Sequence, residues 1–269
     1  MTADSPADVA AQYATDDNLR VRIQAHERYT VGPDLESAVD RLLGLRGDEA
    51  LLDVGTGPGD FPGRLRASGH LGRLVGADLS AGMLEKARAA YPTVEFARAD
   101  AAALPCPDAS FDVLTARHML YHVPDVPAAL SEFRRVLRRG GRFLAVTNAE
   151  GYMTELWEAV AEAAAVEPAL HSLRGSRASY ATNFSEVNGE AQVRAAFGNA
   201  KVEFLDSALV FPDPGPVLTY LTSTMTLQQV EERDRTKIFE ALRAALASRF
   251  QNGFWRISKR LAFILAERP

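Results

Sequence analysis

A single cysteine in 269 residues, Cys106, excludes an internal disulfide and any multi-thiolate metal site within one chain. It sits in LPCPD, with neither a CxxC spacing nor an adjacent histidine, and reads as a structural thiol. No run of about 18 apolar residues occurs, so no transmembrane helix is expected. The opening MTADSPADVA lacks the charged-then-apolar pattern of a secretory leader, and a cytoplasmic location is expected. A formal net charge of −5 carries no basic footprint for a phosphate backbone, so neither nucleic acid nor membrane is an expected partner. There is no internal repeat and no low-complexity tract. What the chain does have is 47% apolar residues, enough to bury a sizeable core and to exclude disorder over most of its length.

Apolar runs of strand length alternate with helical spacing from residue 50 to residue 147. Strands are expected at 50–54, 73–77, 94–97, 111–116 and 142–147, and helices at 61–68, 81–90 and 126–138. Gly140-Gly141 is expected to stop the last of these helices. Such alternation implies a mostly parallel sheet with helices on both faces. Two helices, 16–29 and 34–45, precede it. After 150 the rhythm breaks: two or three helices are expected over 152–197, then a strand at 201–211, helices at 216–224 and 226–248, and a closing strand at 254–265. We expect residues 1–45 to form an N-terminal helical lid, and residues 46–269 a core domain with a helical cap inserted at about 150–200.

The most informative stretch is LLDVGTGPGD, residues 51–60. An apolar strand ends at Asp53, and Gly55, Gly57 and Gly59 follow at alternate positions with Thr56 between them. Glycine reaches positive φ cheaply and lets backbone approach a ligand. A dinucleotide fingerprint would need a glycine at 60, where Asp60 stands. The acidic turn would repel a pyrophosphate and suit a cationic ligand. Asp78, past the next strand, is well placed to hold ribose hydroxyls, although Ser80 is the better helix cap.

Four blocks in one order, LLDVGTGPGD, GADLSAGMLEKAR, FARADAAALPCPDASFDVLTARHMLYHVPD and FRRVLRRGGRFLAVT, resemble the class I S-adenosylmethionine-dependent methyltransferases over residues 45–148. The resemblance implies a Rossmann-like, doubly wound, seven-stranded sheet whose last strand, at 254–265, runs antiparallel. It also implies S-adenosyl-L-methionine as cofactor. Residue by residue, Asp53, Gly55, Thr56 and Gly57 would line its methionine portion, and Asp78 would accept from the ribose. Leu79 and Met83 would flank the adenine, and Asp100 with Ala101 would meet its amino group. Arg117 would stand where the transfer cleft opens. By similarity to members with an N-terminal lid, Tyr13, Arg22 and His26 would close over the cofactor.

Methyl transfer to a hydroxyl benefits from a base. His118 and His122, in RHMLYHVPD, are the candidates, and His171 is a third. The proline-aromatic motif of nucleobase amine methylases is missing, since TARHM fills its place. Asn148 and Glu150 alone do not make a metal site. Tyr152, Trp157, Tyr180, Phe184 and Tyr220 are candidate pocket aromatics. The expected reaction is O-methylation of a small molecule in specialised, antibiotic-type metabolism. N- or C-methylation, RNA or peptide methylation and non-catalytic cofactor binding remain alternatives, and homodimerisation stays open.

Overall fold

A computed structural model describes residues 17–170, 183–224, 232–250 and 252–269. Eight strands form one sheet: β1 (Thr30–Val31), β2 (Leu51–Val54), β3 (Leu74–Asp78), β4 (Glu95–Arg98), β5 (Phe111–Arg117), β6 (Leu137–Asn148), β7 (Lys201–Phe211) and β8 (Trp255–Glu267). Their spatial order is β1-β7-β8-β6-β5-β2-β3-β4. Strands β2 to β6 pair parallel, and β8 lies antiparallel between β6 and β7. The chain builds outward from β2 through β3 to β4, then returns to add β5 and β6 on the other side. The order therefore reverses between β2 and β5, and a crevice opens at their carboxyl ends.

The sheet is the expected doubly wound one with an antiparallel closing strand, and it carries one strand more than the seven expected. The addition is β1, two residues that pair with Leu209 and Ala208 at the edge of β7. A two-residue strand has no periodicity of its own and forms because β7 offers an open edge.

The described helices are α1 (Asp17–Tyr29), α2 (Leu35–Leu43), α3 (Asp60–Ala67), α4 (Ala81–Ala90), α5 (Val126–Val136), α6 (Thr154–Val166), α7 (Glu186–Phe197), α8 (Pro214–Thr224) and α9 (Glu232–Ala247). Local chemistry sets their starts. The Asp34 carboxylate accepts from Ser37 N–H, the Ser80 hydroxyl from Met83 N–H and the Asp125 carboxylate from Ala128 N–H. Gly44, left-handed at φ 52°, ends α2.

Helix α5 stops at Val136, short of the expected 138. Leu137 is fully buried and pairs with Phe111, so sheet burial ends the helix before Gly140-Gly141 can. Those glycines lie inside β6. Gly140 takes φ +73° and donates to the Arg268 carbonyl, while Gly141 accepts from Arg268 N–H.

Three apolar clusters hold the fold. One face of the sheet packs Phe111 and Phe143 against Phe133 of α5 and Phe197 of α7. The opposite face packs Leu144 and Phe263 under Val39 of α2 and Phe61 of α3. A third cluster joins α1, α6, α8 and α9 to the ends of β7 and β8, through Leu156, Leu221, Leu242 and Ile257. The expected cap at 150–200 is therefore laid out differently. Helix α7 lies on the sheet, with Ile264 so close to Gly189 that an added Cβ would sit 2.6 Å from its Cδ1. The helical layer over the crevice instead gathers segments from both halves of the sequence. Among the described residues no helix is long and apolar enough to cross a membrane.

Candidate functional site

The turn between β2 and α3 sits in the crevice. Gly55, Gly57 and Gly59 have φ of 71°, 55° and 82°, where side-chain-bearing residues are strained. Space matters as well. A Cβ on Gly55 would lie 2.6 Å from Met119 Cβ, and one on Gly59 would lie 2.7 Å from Phe96 Cζ. Only at Gly57 would a Cβ meet nothing nearer than Leu19 Cδ2 of α1, at 3.9 Å. Helix α1 thus crosses directly above the turn.

Three carboxylates stand at or just past the ends of β2, β3 and β4. Asp53 is buried at the end of β2 and accepts from the Thr115 hydroxyl at 2.6 Å. Burial pushes its pKa up, against the opposing pull of Arg117 and the hydroxyls of Thr115 and Thr56. Asp78, ending β3, accepts from Gly57 N–H through one oxygen and Ser80 N–H through the other, both at 2.8 Å. It ties the glycine turn to the next crossover and keeps a further lone pair on each oxygen. Burial also raises its pKa, while the Ser80, Gly57 and Leu79 amides oppose the rise. Asp100 accepts from Ala102 N–H, and Ala101 beside it is buried. Met83 is buried on α4, whereas Leu79 is exposed.

The basic candidates are engaged in ways the sequence did not foretell. Arg117 grips Glu36 of α2 at 2.6 and 3.1 Å and lies 4.4 Å over the Phe61 ring. Its guanidinium fastens α2 across the mouth of the crevice. Arg22 donates to the Ser223 carbonyl, clasping α1 to α8. Tyr13, His171 and Tyr180 lie outside the described residues.

Beyond β5 the side chains form an aromatic and imidazole cluster. His26 Nε2 stands 3.3 Å from both the Tyr152 and Tyr220 hydroxyls, and its Nδ1 is buried with no partner among the described residues. His118 holds a left-handed φ of 53°, and its N–H donates to the Val146 carbonyl, which fixes it at the end of β5. Burial, then Arg117 and Lys259, lower its pKa to about 3. His26 falls to about 3 through burial, Lys259, His118 and Arg22. His122 falls to about 4 through burial and Arg22. All three rings are neutral at pH 7. Burial raises the Tyr152 and Tyr220 hydroxyls, which stay protonated.

Trp157 and Tyr152 are each half-buried against the helical cluster. Phe184 is not among these pocket aromatics: it is 1% exposed and packs beneath Gly189 in the sheet core, so its role is in the fold. Thr115, Met119, Leu19 and Lys259 were missed. Thr115, a hydroxyl within the apolar run VLTA, and Lys259, on the inward parity of β8, left a local signal.

A family model described as a methyltransferase domain matches residues 52–145, the span that carries the turn and all three carboxylates. This span is a class I S-adenosylmethionine-dependent methyltransferase domain. A malonyl-[acyl-carrier protein] O-methyltransferase of Yersinia pestis is 35% identical over 140 residues, 51% of this chain and 52% of that protein. A ubiquinone/menaquinone biosynthesis C-methyltransferase of Hahella chejuensis is 40% identical over 108 residues, 38% of this chain and 43% of that protein. The chain spans about half the length of the curated relatives it matches. The solved structure of a Haemonchus contortus phosphoethanolamine N-methyltransferase with S-adenosyl-L-methionine superposes with a TM-score of 0.58. The match is 18% identical and covers 95% of this chain and 57% of that one. At that identity the likeness establishes the fold.

The methyltransferase turn fits the cofactor its family uses. The donor set is carboxylate-rich and lies beside positive-φ glycines, which suits a sulfonium nucleoside and opposes a pyrophosphate. Asp78 retains acceptor capacity for a diol, and Gly57 leaves an approach open beneath α1.

Proposed function

We propose that the chain methylates a small-molecule acceptor, on oxygen, in a chamber beneath α1, and that the product belongs to specialised metabolism. The carrying observation is the acidic glycine turn at the strand-order reversal, approached by Leu19 of α1, the helix whose His26 meets the Tyr152 and Tyr220 hydroxyls. When bound, S-adenosylmethionine supplies an electrophilic methyl group. Asp53, the turn at 55–57, Asp78 and Asp100 would hold it, with Leu79, Met83 and Ala101 near its base and Arg22 and Arg117 keeping α1 and α2 closed.

The acceptor side follows from the imidazoles. A ring as weakly basic as His118 does not ionise a hydroxyl in advance. It accepts a hydrogen bond from it, points the oxygen and takes the proton only as the new C–O bond forms. His122, in the adjoining turn, is the second candidate for this role. Tyr152 and Trp157 supply the aromatic wall, and the helices exclude water, which favours a displacement that disperses charge.

Calorimetry with S-adenosylhomocysteine and with NAD tests the cofactor assignment, and binding of NAD alone would overturn it. Labelled-methyl transfer into an organic extract, repeated on nuclease-treated and protein fractions, tests the acceptor class. Label confined to small organic products, extracted at neutral or at acid pH, supports the reading. Label in RNA or protein refutes it.

A further inference from the structure

Near the His26 and His118 rings the fold buries a cation that the transfer chemistry above does not use. Lys259, on β8, is one of four lysines in the chain and is 6% exposed. Its Nζ donates to Thr30 Oγ1 at 3.2 Å. Among the described residues that is its one hydrogen bond, and no carboxylate lies within ion-pair reach of it. Asp34, the acid with the strongest pull on it, is exposed and already accepts from the Ser37 amide and hydroxyl. A buried ammonium without a counter-charge is costly, and such groups ordinarily carry a partner.

Lys259 lies near enough to His26 and His118 to disfavour a proton on either ring. Arg22, also close enough to His26 to disfavour its proton, is satisfied only by a backbone carbonyl among the described residues, so its charge too lacks a carboxylate. The acidic side chains gather at β2 and β3, and the cations gather here. From Asp53 the sheet steps across β5 and β6 to Leu265 of β8, three strand spacings or about 14 Å, and Lys259 lies six residues further along β8, about 20 Å beyond that level. The ammonium is therefore placed on the acceptor side of the crevice, away from the glycine turn.

We propose that Lys259 is a specificity-determining residue that receives the carboxylate of the acceptor, so that the substrates are small aromatic or alicyclic carboxylic acids. One N–H goes to Thr30, and two remain for a planar monoanion. A phosphate, bulkier and near two charges, would need more donors than one lysine has left. The aromatic wall of Tyr152 and Trp157 supplies the rest of the fit. This inference rests on the methyltransferase reading of the same crevice.

The test uses benzoate and benzamide, equal in shape and different in charge, titrated into the full chain saturated with S-adenosylhomocysteine. Benzoate is expected to bind at least tenfold more tightly than benzamide. Lys259→Met, a substitution that a buried site accommodates, is expected to erase that preference and to leave S-adenosylhomocysteine affinity within twofold. Lys259→Arg, which keeps the charge, is expected to preserve it and guards against a misfolded methionine variant. Equal binding of the two probes to the wild type overturns the inference, as does a preference that survives in Lys259→Met. A tenfold loss of S-adenosylhomocysteine affinity in Lys259→Met also overturns it, by assigning the ammonium to the cofactor's own carboxylate. Failure of the wild type to bind S-adenosylhomocysteine at all would instead remove the methyltransferase reading.

Discussion

Replacing Asp78 with alanine separates the two tasks that the geometry gives this carboxylate. In the ligand-free chain it accepts from Gly57 N–H and Ser80 N–H, both at 2.8 Å. Hydrogen bonds to a charged acceptor contribute about 1.5–3 kcal/mol each. Both donors are only part-buried and regain some water, and alanine also removes the desolvation cost that raises the Asp78 pKa, so the net loss of stability is about 1–3 kcal/mol. In a chain of this size that lowers Tm by roughly 2–10 °C. The second task is the ribose. Loss of two charge-assisted bonds weakens S-adenosylhomocysteine by about 1–3 kcal/mol, or roughly 5- to 150-fold. Thermal unfolding without ligand reads the first effect. Calorimetry well below Tm, where the variant is folded, reads the second. A fall in Tm with unchanged affinity would refute the reasoning, because Asp78 would then be an anchor for the turn and nothing more.

Much of this was written locally in the chain. Strands β2, β3 and β5 and the second halves of β6 and β8 are apolar runs whose burial needs no distant information, and Ser80 caps α4 as its position before a run of helix formers implied. The glycine turn was equally legible, since its φ values depend on neighbours within a few residues. What escaped is non-local. The pairing of Thr30 with Leu209, the clasp from Arg22 to Ser223 and the grip of Arg117 on Glu36 each join residues at least 81 positions apart. Phe184 shows the same limit: an aromatic after a polar loop suggests a pocket until α7 is seen lying on the sheet above it. Lys259 is a different case. In WRISKRL it shares strand parity with Ile257 and Leu261, both buried, so period two already turned it inward. The charge concealed a pattern that was present.

Three further outcomes follow from the structure. Gly55→Ala forces a Cβ to 2.6 Å from Met119 at a φ of 71°, so strain and overpacking together should cost about 2–4 kcal/mol, read by urea unfolding; wild-type stability would show that the turn relaxes freely. His118→Asn should lower turnover by about tenfold or more while S-adenosylhomocysteine affinity stays within twofold; an unchanged rate removes the ring from proton transfer. The last concerns acid stability. Burial pushes the Glu49 carboxyl up, but hydrogen bonds from the Arg46 and Gly47 amides and from Arg142 outweigh it and hold the pKa near 2, against an ordinary 4.5. A folded-state pKa below the unfolded one gives stability that is complete above pH 4.5 and disappears as the pH falls through 2. The contribution is about 3 kcal/mol at pH 7 and about 1 kcal/mol at pH 3, where the unfolded chain is protonated and the native one is not. The difference in unfolding free energy between wild type and Glu49→Gln should shrink accordingly between those two pH values. A gap that is the same at both would mean that the loop between α2 and β2 is held by shape, and that the carboxylate's charge contributes nothing.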